Sequence, residues 1–220
     1  MPLAQSLIAR IDALMTDGAR AMIGLVGPPG AGKSTLSDAL ARHFAGRVQV
    51  VPMDGFHLAQ AELVRLGRAA RKGAPDTFDG AGYVALLRRI RSQAAGETVY
   101  APEFRREIEE PIAGAIAVAA DTPLVVTEGN YLLLHTDPWR EVRDLLDEVW
   151  YVDVDDATRH RRLVDRHVRF GRTPDEAARW METTDEPNAR LIAACKDRAD
   201  LIVQLDDEGP ALRQAQCERG

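Results

Sequence analysis

Lysine is scarce in this chain: Lys33, Lys72 and Lys196 are the only three, and arginine supplies every other strong base. Bases are also outnumbered, 28 against 34 acidic residues, for a net charge of −6. Binding to a nucleic-acid backbone needs clustered positive charge. The composition therefore argues against a general nucleic-acid binder and requires any phosphate chemistry to use a local basic patch. Cysteine is limited to Cys195 and Cys217. Two thiols are too few for a metal cluster or a disulfide framework, and they read as reduced thiols of a cytoplasmic protein. No apolar run reaches the ~18 residues of a membrane span. Arg10 and Asp12 interrupt the apolar N-terminal pattern, which excludes a signal-peptide reading.

What is present is enough apolar material, 45% of residues, for a full core. Leu3, Leu7, Ile8, Ile11, Leu14 and Met15 share one helical face. Apolar runs at 21–26, 48–53, 124–127, 149–154 and 201–205 read as buried strands. A helical pattern at 34–44 follows the first run, and Tyr83, Leu86, Leu87 and Ile90 mark a second helical face. Strands alternating with helices predict a doubly wound α/β fold, a parallel sheet covered on both sides. Without repeats or linkers, residues 1–220 read as one domain. Two polar segments break the rhythm, 73–79 (GAPDTFD) and 99–111 (VYAPEFRREIEEP). Insertions at strand ends commonly build a substrate site.

The strongest motif is Gly27-Pro28-Pro29-Gly30-Ala31-Gly32-Lys33-Ser34, which fits G-x-x-x-x-G-K-[ST] between a strand and a helix. Its glycines permit a tight loop of inward-pointing amides, and the helix N-terminus favours anions. The nucleotide-binding segment runs from Gly27 through Thr35. Lys33 is expected to reach the terminal phosphates of ATP, and Ser34 to ligate Mg²⁺. The guanine-reading N-K-x-D of switch GTPases and the LSGGQ of transporter ATPases are both absent. A phosphotransferase remains.

Acids at the strand ends supply the other parts. Asp54 follows the second strand and is the candidate base for an acceptor hydroxyl. Glu128 ends the third strand and is the candidate metal partner beside Ser34, with the base role open between it and Asp54. His57 is a candidate acceptor contact. Arg159, Arg162, Arg166 and Arg169 step by three or four residues and share a helical face. With a stop or hinge at Gly171, residues of about 157–185 form an expected lid that closes over ATP and excludes water.

In this order, GPPGAGKS (27–34), MDGFH (53–57), GAPDTFD (73–79), VVTEGNYLL (125–133) and YVDVD (151–155) with its arginine helix resemble the uridine kinase, phosphoribulokinase and bacterial pantothenate kinase superfamily. The resemblance spans nearly the whole chain. DEPNARLI (185–192) is similar to a bacterial branch of nucleoside/nucleotide kinase-like proteins and proposed fructose-transport-system kinases. The resemblance implies a P-loop NTPase fold with a five-stranded parallel sheet, Asp54 as base, and Arg162 and Arg166 as lid arginines, with Arg159 and Arg172 behind them. It places Asp79, Tyr100 and Arg105 near the acceptor, and Asn188 near the adenine. Uridine kinases usually read Asp-x-Phe-Tyr where this chain has Asp54-Gly55-Phe56-His57; the Gly-Phe pair looks more like pantothenate kinase.

The expectation is a cytoplasmic Mg²⁺/ATP kinase acting on a hydroxyl of a sugar, nucleoside or pantothenate-like metabolite. A homodimer is compatible with it, and neither nucleic acid nor membrane is an expected partner. Two alternatives stay open: a nucleotide-binding regulator of sugar uptake, and a nucleoside monophosphate kinase using Arg105 and Arg106.

Overall fold

A computed structural model describes residues 3–205. In chain order it contains α1 (Gln5–Leu14), β1 (Ala21–Val26), α2 (Lys33–His43), β2 (Val48–Pro52), α3 (Gln60–Arg65) and α4 (Gly80–Arg91). Then come β3 (Thr98–Arg105), β4 (Glu110–Ala119), β5 (Leu124–Gly129), β6 (Glu148–Asp153), α5 (Asp156–Arg169), α6 (Pro174–Trp180), α7 (Glu186–Ala193) and β7 (Leu201–Gln204).

Five strands form one sheet in the order β2-β5-β1-β6-β7, and each neighbouring pair is parallel. Alternation along β1 explains the two-sided cover. Met22 and Val26 face a core shared with Tyr83, Leu87 and Trp139, whereas Ile23 and Leu25 face Leu7, Ile11, Leu36 and Leu40 from α1 and α2. Each such leucine, fully buried, contributes about 2 kcal/mol of transfer free energy. Gly24 leaves no room for a side chain, since a Cβ there would meet Leu146 Cδ1 at 2.8 Å.

The register brings the chemistry to one edge. Val26 lies opposite Gly129, and Pro52 lies opposite Glu128. The segments following β1, β2 and β5 therefore converge beyond the carboxyl ends of the strands, where open α/β sheets bind ligands.

The segment 99–111 differs from its reading as a polar interruption. It contributes most of an antiparallel ribbon, β3 against β4, with residues 106–109 at its turn. Val99, Ala101 and Val118 are buried in the α4 side of the core, while Tyr100 is exposed. The charged run after Phe104 hides this alternation in the sequence. Beyond Arg169 the expected lid segment forms α6 and a π-helical turn, Met181–Asp185, that runs directly into α7. Among the described residues no helix is long and apolar enough to cross a membrane. The polar tail at 206–220, with Cys217, lies outside the described residues.

Candidate active site

The loop after β1 takes its shape from three glycines. Gly30 and Gly32 have φ of 81° and 96°, in the left-handed region that disfavours side chains. A Cβ on Gly27 would lie 2.6 Å from the Val152 carbonyl oxygen, so the loop presses against β6. No side chain caps the N-terminus of α2, which leaves its first amides for an anion. Lys33 Nζ donates to the carbonyls of Gly27 and Pro28 at 2.9 and 3.2 Å, and to Asn130 Oδ1 at 2.7 Å. Burial pushes its pKa down to about 8, against the opposing pull of Glu128 and Asp54, with Arg166 and Arg106 adding to the decrease.

Asp54 sits in a one-turn helix, Met53–Phe56, immediately after β2. Arg106, at the turn of the β3–β4 ribbon, reaches its carboxylate at 3.3 Å. The next residue must be glycine, because a Cβ on Gly55 would approach the Pro102 carbonyl oxygen to 2.3 Å. Across the cleft, Ser34 Oγ donates to Glu128 Oε1 at 2.9 Å. Burial, then the neighbouring Asp54, raises the Glu128 pKa. These two oxygen-bearing side chains suit a hard cation, while the glycine loop and free helix amides suit a polyphosphate. Among the described residues no group of three or more His, Cys, Asp or Glu side chains could hold a metal alone.

Helix α5 lies against the loop. A Cβ on Gly30 would meet Leu163 Cγ at 2.9 Å and the Arg159 carbonyl oxygen at 3.0 Å. Arg162 Nη1 stands 3.7 Å from where a Cβ on Gly32 would be. Arg166 lines the cleft beside Lys33 and Asp54, its pKa lowered by burial and then by Arg106. Arg159 is a correction to the arginine face: it is 2% exposed and paired with Asp156 and Glu186, tying α5 to α7. Arg172 stacks on the Trp180 ring at 3.8 Å and also lines the cleft.

The cleft encloses about 500 Å³, and Lys33, Ser34, Asp54, Glu128 and Arg166 all face it. His57 lines it too, its ring 4.0 Å from Phe78 and 4.6 Å from Phe104, with burial lowering its pKa. Three residues expected near the acceptor stand elsewhere. Asp79 caps α4 through the Gly82 amide at 2.8 Å, as an Asp before a helical run does. Tyr100 points outward from the ribbon, 60% exposed. Arg105 pairs with Glu103 at 2.9 Å, and its neighbour Arg106, the first residue of the ribbon's turn, lines the cleft. Asn188, expected near the adenine, lines the cleft that holds Asp54 and donates to the Gly73 carbonyl at 3.4 Å. Lys72, His167, Thr184 and Asp185 also line it. The last three had no signal beyond lying in or next to the arginine helix and DEPNARLI.

Known proteins resemble this chain over most of their length. The "Putative uridine kinase C227.14" of Schizosaccharomyces pombe is 33% identical over 209 residues, 90% of this chain and 88% of the relative. An "ATP-dependent kinase-like protein" of Aspergillus versicolor is 41% identical over 132 residues, 57% of this chain and 77% of the relative. A crystal structure of a "putative fructose transport system kinase" from Silicibacter sp. TM1040 superposes with a TM-score of 0.81 at 35% identity, covering 91% of this chain and 98% of that one. The model of the Phosphoribulokinase / Uridine kinase family matches residues 22–208, from β1 to beyond β7, and the chain belongs to that family of P-loop kinases.

Proposed function

We propose that the protein transfers the γ-phosphoryl group of ATP to a hydroxyl of a small metabolite: a sugar, a nucleoside or a pantothenate-like compound. One observation carries this reading. The Asp54 carboxylate opens into the same cleft as Lys33, Ser34 and Glu128, instead of turning away to cap a helix.

Mg-ATP, when bound, supplies the electrophilic phosphorus and part of its counter-charge. The backbone N–H groups of Gly27 and of residues 30–35, with Lys33, would hold the phosphates, since Pro28 and Pro29 have none to give, and Ser34 with Glu128 would hold the metal. The Ser34–Glu128 hydrogen bond supports that division, leaving Asp54 as the base. Asp54 accepts the hydroxyl proton as the acceptor oxygen bonds phosphorus and ADP departs. Arg162 and Arg166 face the charge on the transferring group, and closure of α5 and α6 keeps out water, a competing acceptor.

The test is incubation with Mg-ATP and a metabolite panel, with ADP release and phosphorylated product measured together. Acceptor-dependent ADP release that disappears in Asp54→Asn is expected. Nucleotide turnover indifferent to every acceptor would point instead to a nucleotide-binding regulator, and full acceptor-dependent activity in Asp54→Asn would move the base role from Asp54 to Glu128.

A further inference from the structure

The cleft has a second polar wall that phosphoryl transfer does not use. It is built where the chain leaves α6: the π-helical turn Met181–Asp185 delivers Thr184 and Asp185, and the first turn of α7 delivers Asn188. All three are nearly buried, at 9%, 6% and 8% exposure, and all three line the cleft. A π-turn inserts one residue into a helix and re-aims the side chains around it, often at functional sites. Here it turns polar atoms inward on a segment whose other buried residues are apolar.

Their hydrogen-bonding is incomplete in one sense. His167 Nε2 meets Asp185 Oδ2 at 2.7 Å, and Asn188 Nδ2 donates to Gly73 O at 3.4 Å. Among the described residues, nothing donates to the other Asp185 oxygen, to Asn188 Oδ1 or to the Thr184 hydroxyl. None of these atoms is fully enclosed; among the described residues the one enclosed side-chain atom without a partner is Arg159 Nη1. Two of the three open atoms can only accept hydrogen bonds, and the third can do so. The wall therefore offers hydrogen-bond acceptors to the cleft, which a ligand's donors can engage.

The location ties this wall to the reacting group. Asp54 and Asp185 line the same cleft, together with Arg166. Tyr131 itself donates to Gly73 O, the carbonyl that Asn188 also reaches.

We infer that Asp185 and Asn188 select the acceptor: they bind adjacent hydroxyl groups of a neutral polyol, a sugar or the ribose of a nucleoside, and present another hydroxyl to Asp54. This rests on the phosphoryl-transfer reading and narrows it. A carboxylate is a strong acceptor for paired hydroxyls, and it repels an acceptor that carries its own carboxylate or phosphate at this wall. Both residues are assigned to specificity, not to the chemical step.

The experiment compares neutral sugars and ribosides with the same skeletons bearing a carboxylate or phosphate, using Mg-ATP and coupled ADP detection. Neutral polyols are expected to be the better acceptors. Asp185→Asn, which keeps the shape but turns an amide donor toward the cleft, is expected to raise KM for the polyol at least tenfold. KM for ATP should move less than twofold, and kcat less than threefold. Asn188→Leu should act in the same direction. His167→Gln separates the alternatives, because a purely structural role of the His167–Asp185 pair would give it the same KM rise as Asp185→Asn. Acceptor-dependent turnover confined to acidic compounds, an unchanged polyol KM in Asp185→Asn, or an equal effect of His167→Gln would each overturn the assignment while leaving the kinase reading intact. ATP binding without turnover of any acceptor would overturn both.

Discussion

Binding of a nucleotide should draw a proton into the site at alkaline pH. Buried Lys33 has a pKa of about 8 in the nucleotide-free protein, against an ordinary 10.5. Glu128 and Asp54 hold it up, Arg166 and Arg106 push it down, and burial outweighs them all. Phosphates in the loop replace the missing solvation and return the pKa to its ordinary range or above. At pH 9 roughly nine lysines in ten are then neutral before binding and charged after it, so uptake approaches about one proton per site. At pH 7 it is about a tenth of that. Linkage then requires affinity to fall about tenfold between pH 7 and pH 9, equivalent to about 1.4 kcal/mol. The sign for stability agrees. The depressed pKa penalises the folded protein below pH 8, and the penalty fades as pH rises towards 10.5. Isothermal titration with a non-hydrolysable Mg-ATP analogue at pH 9, in two buffers of different ionisation enthalpy, reads the uptake directly. The same binding enthalpy in both buffers would refute the reasoning, as would undiminished uptake in Lys33→Met.

Other perturbations separate catalysis from architecture. Asp54→Asn should lower kcat by roughly 10²–10⁴ and leave the thermal shift caused by Mg-ATP intact. Gly55→Ala drives a Cβ into the Pro102 carbonyl; it should destabilise by about 1–3 kcal/mol and raise the acceptor KM more than the ATP KM. Arg159→Met should lower Tm, with a cost of about 2 kcal/mol, less than a fully buried pair because Glu186 keeps some solvent. Arg166→Met should do the reverse, holding Tm and lowering kcat, which is read by comparing melting curves with turnover.

The sheet was legible because its strands are short apolar runs bounded by turn residues. The runs at 21–26, 48–53, 124–127, 149–154 and 201–205 each contain a strand of the sheet to within two residues at either end. The glycine loop was legible because so few sequences satisfy its geometry. The ribbon was not. Its buried positions alternate over only Val99, Ala101 and Val118, and the charges of 105–110 mask the period. Within the arginine helix, spacing identified the shared face but not the depth of each residue. Arg159 and Arg166 lie two turns apart on one side, yet the first meets Asp156 and Glu186 while the second opens into the cleft. That difference depends on what α7 brings alongside, a tertiary fact invisible at helical spacing. The same holds for Asn188 and Asp185, whose placement needs the π-turn that no local pattern announces.

With no side chain at Gly55, the turn bearing Asp54 rests directly on the backbone of the ribbon at Pro102. Nothing compressible lies between them. A molecule that pushes on the ribbon from the cleft, through Phe104 or Arg106, therefore shifts the carboxylate as well. On the proposed reading of Asp54 as the base, filling the pocket and aiming that carboxylate become a single mechanical event. Water, too small to press on the ribbon, would find the carboxylate less well aimed than a metabolite does.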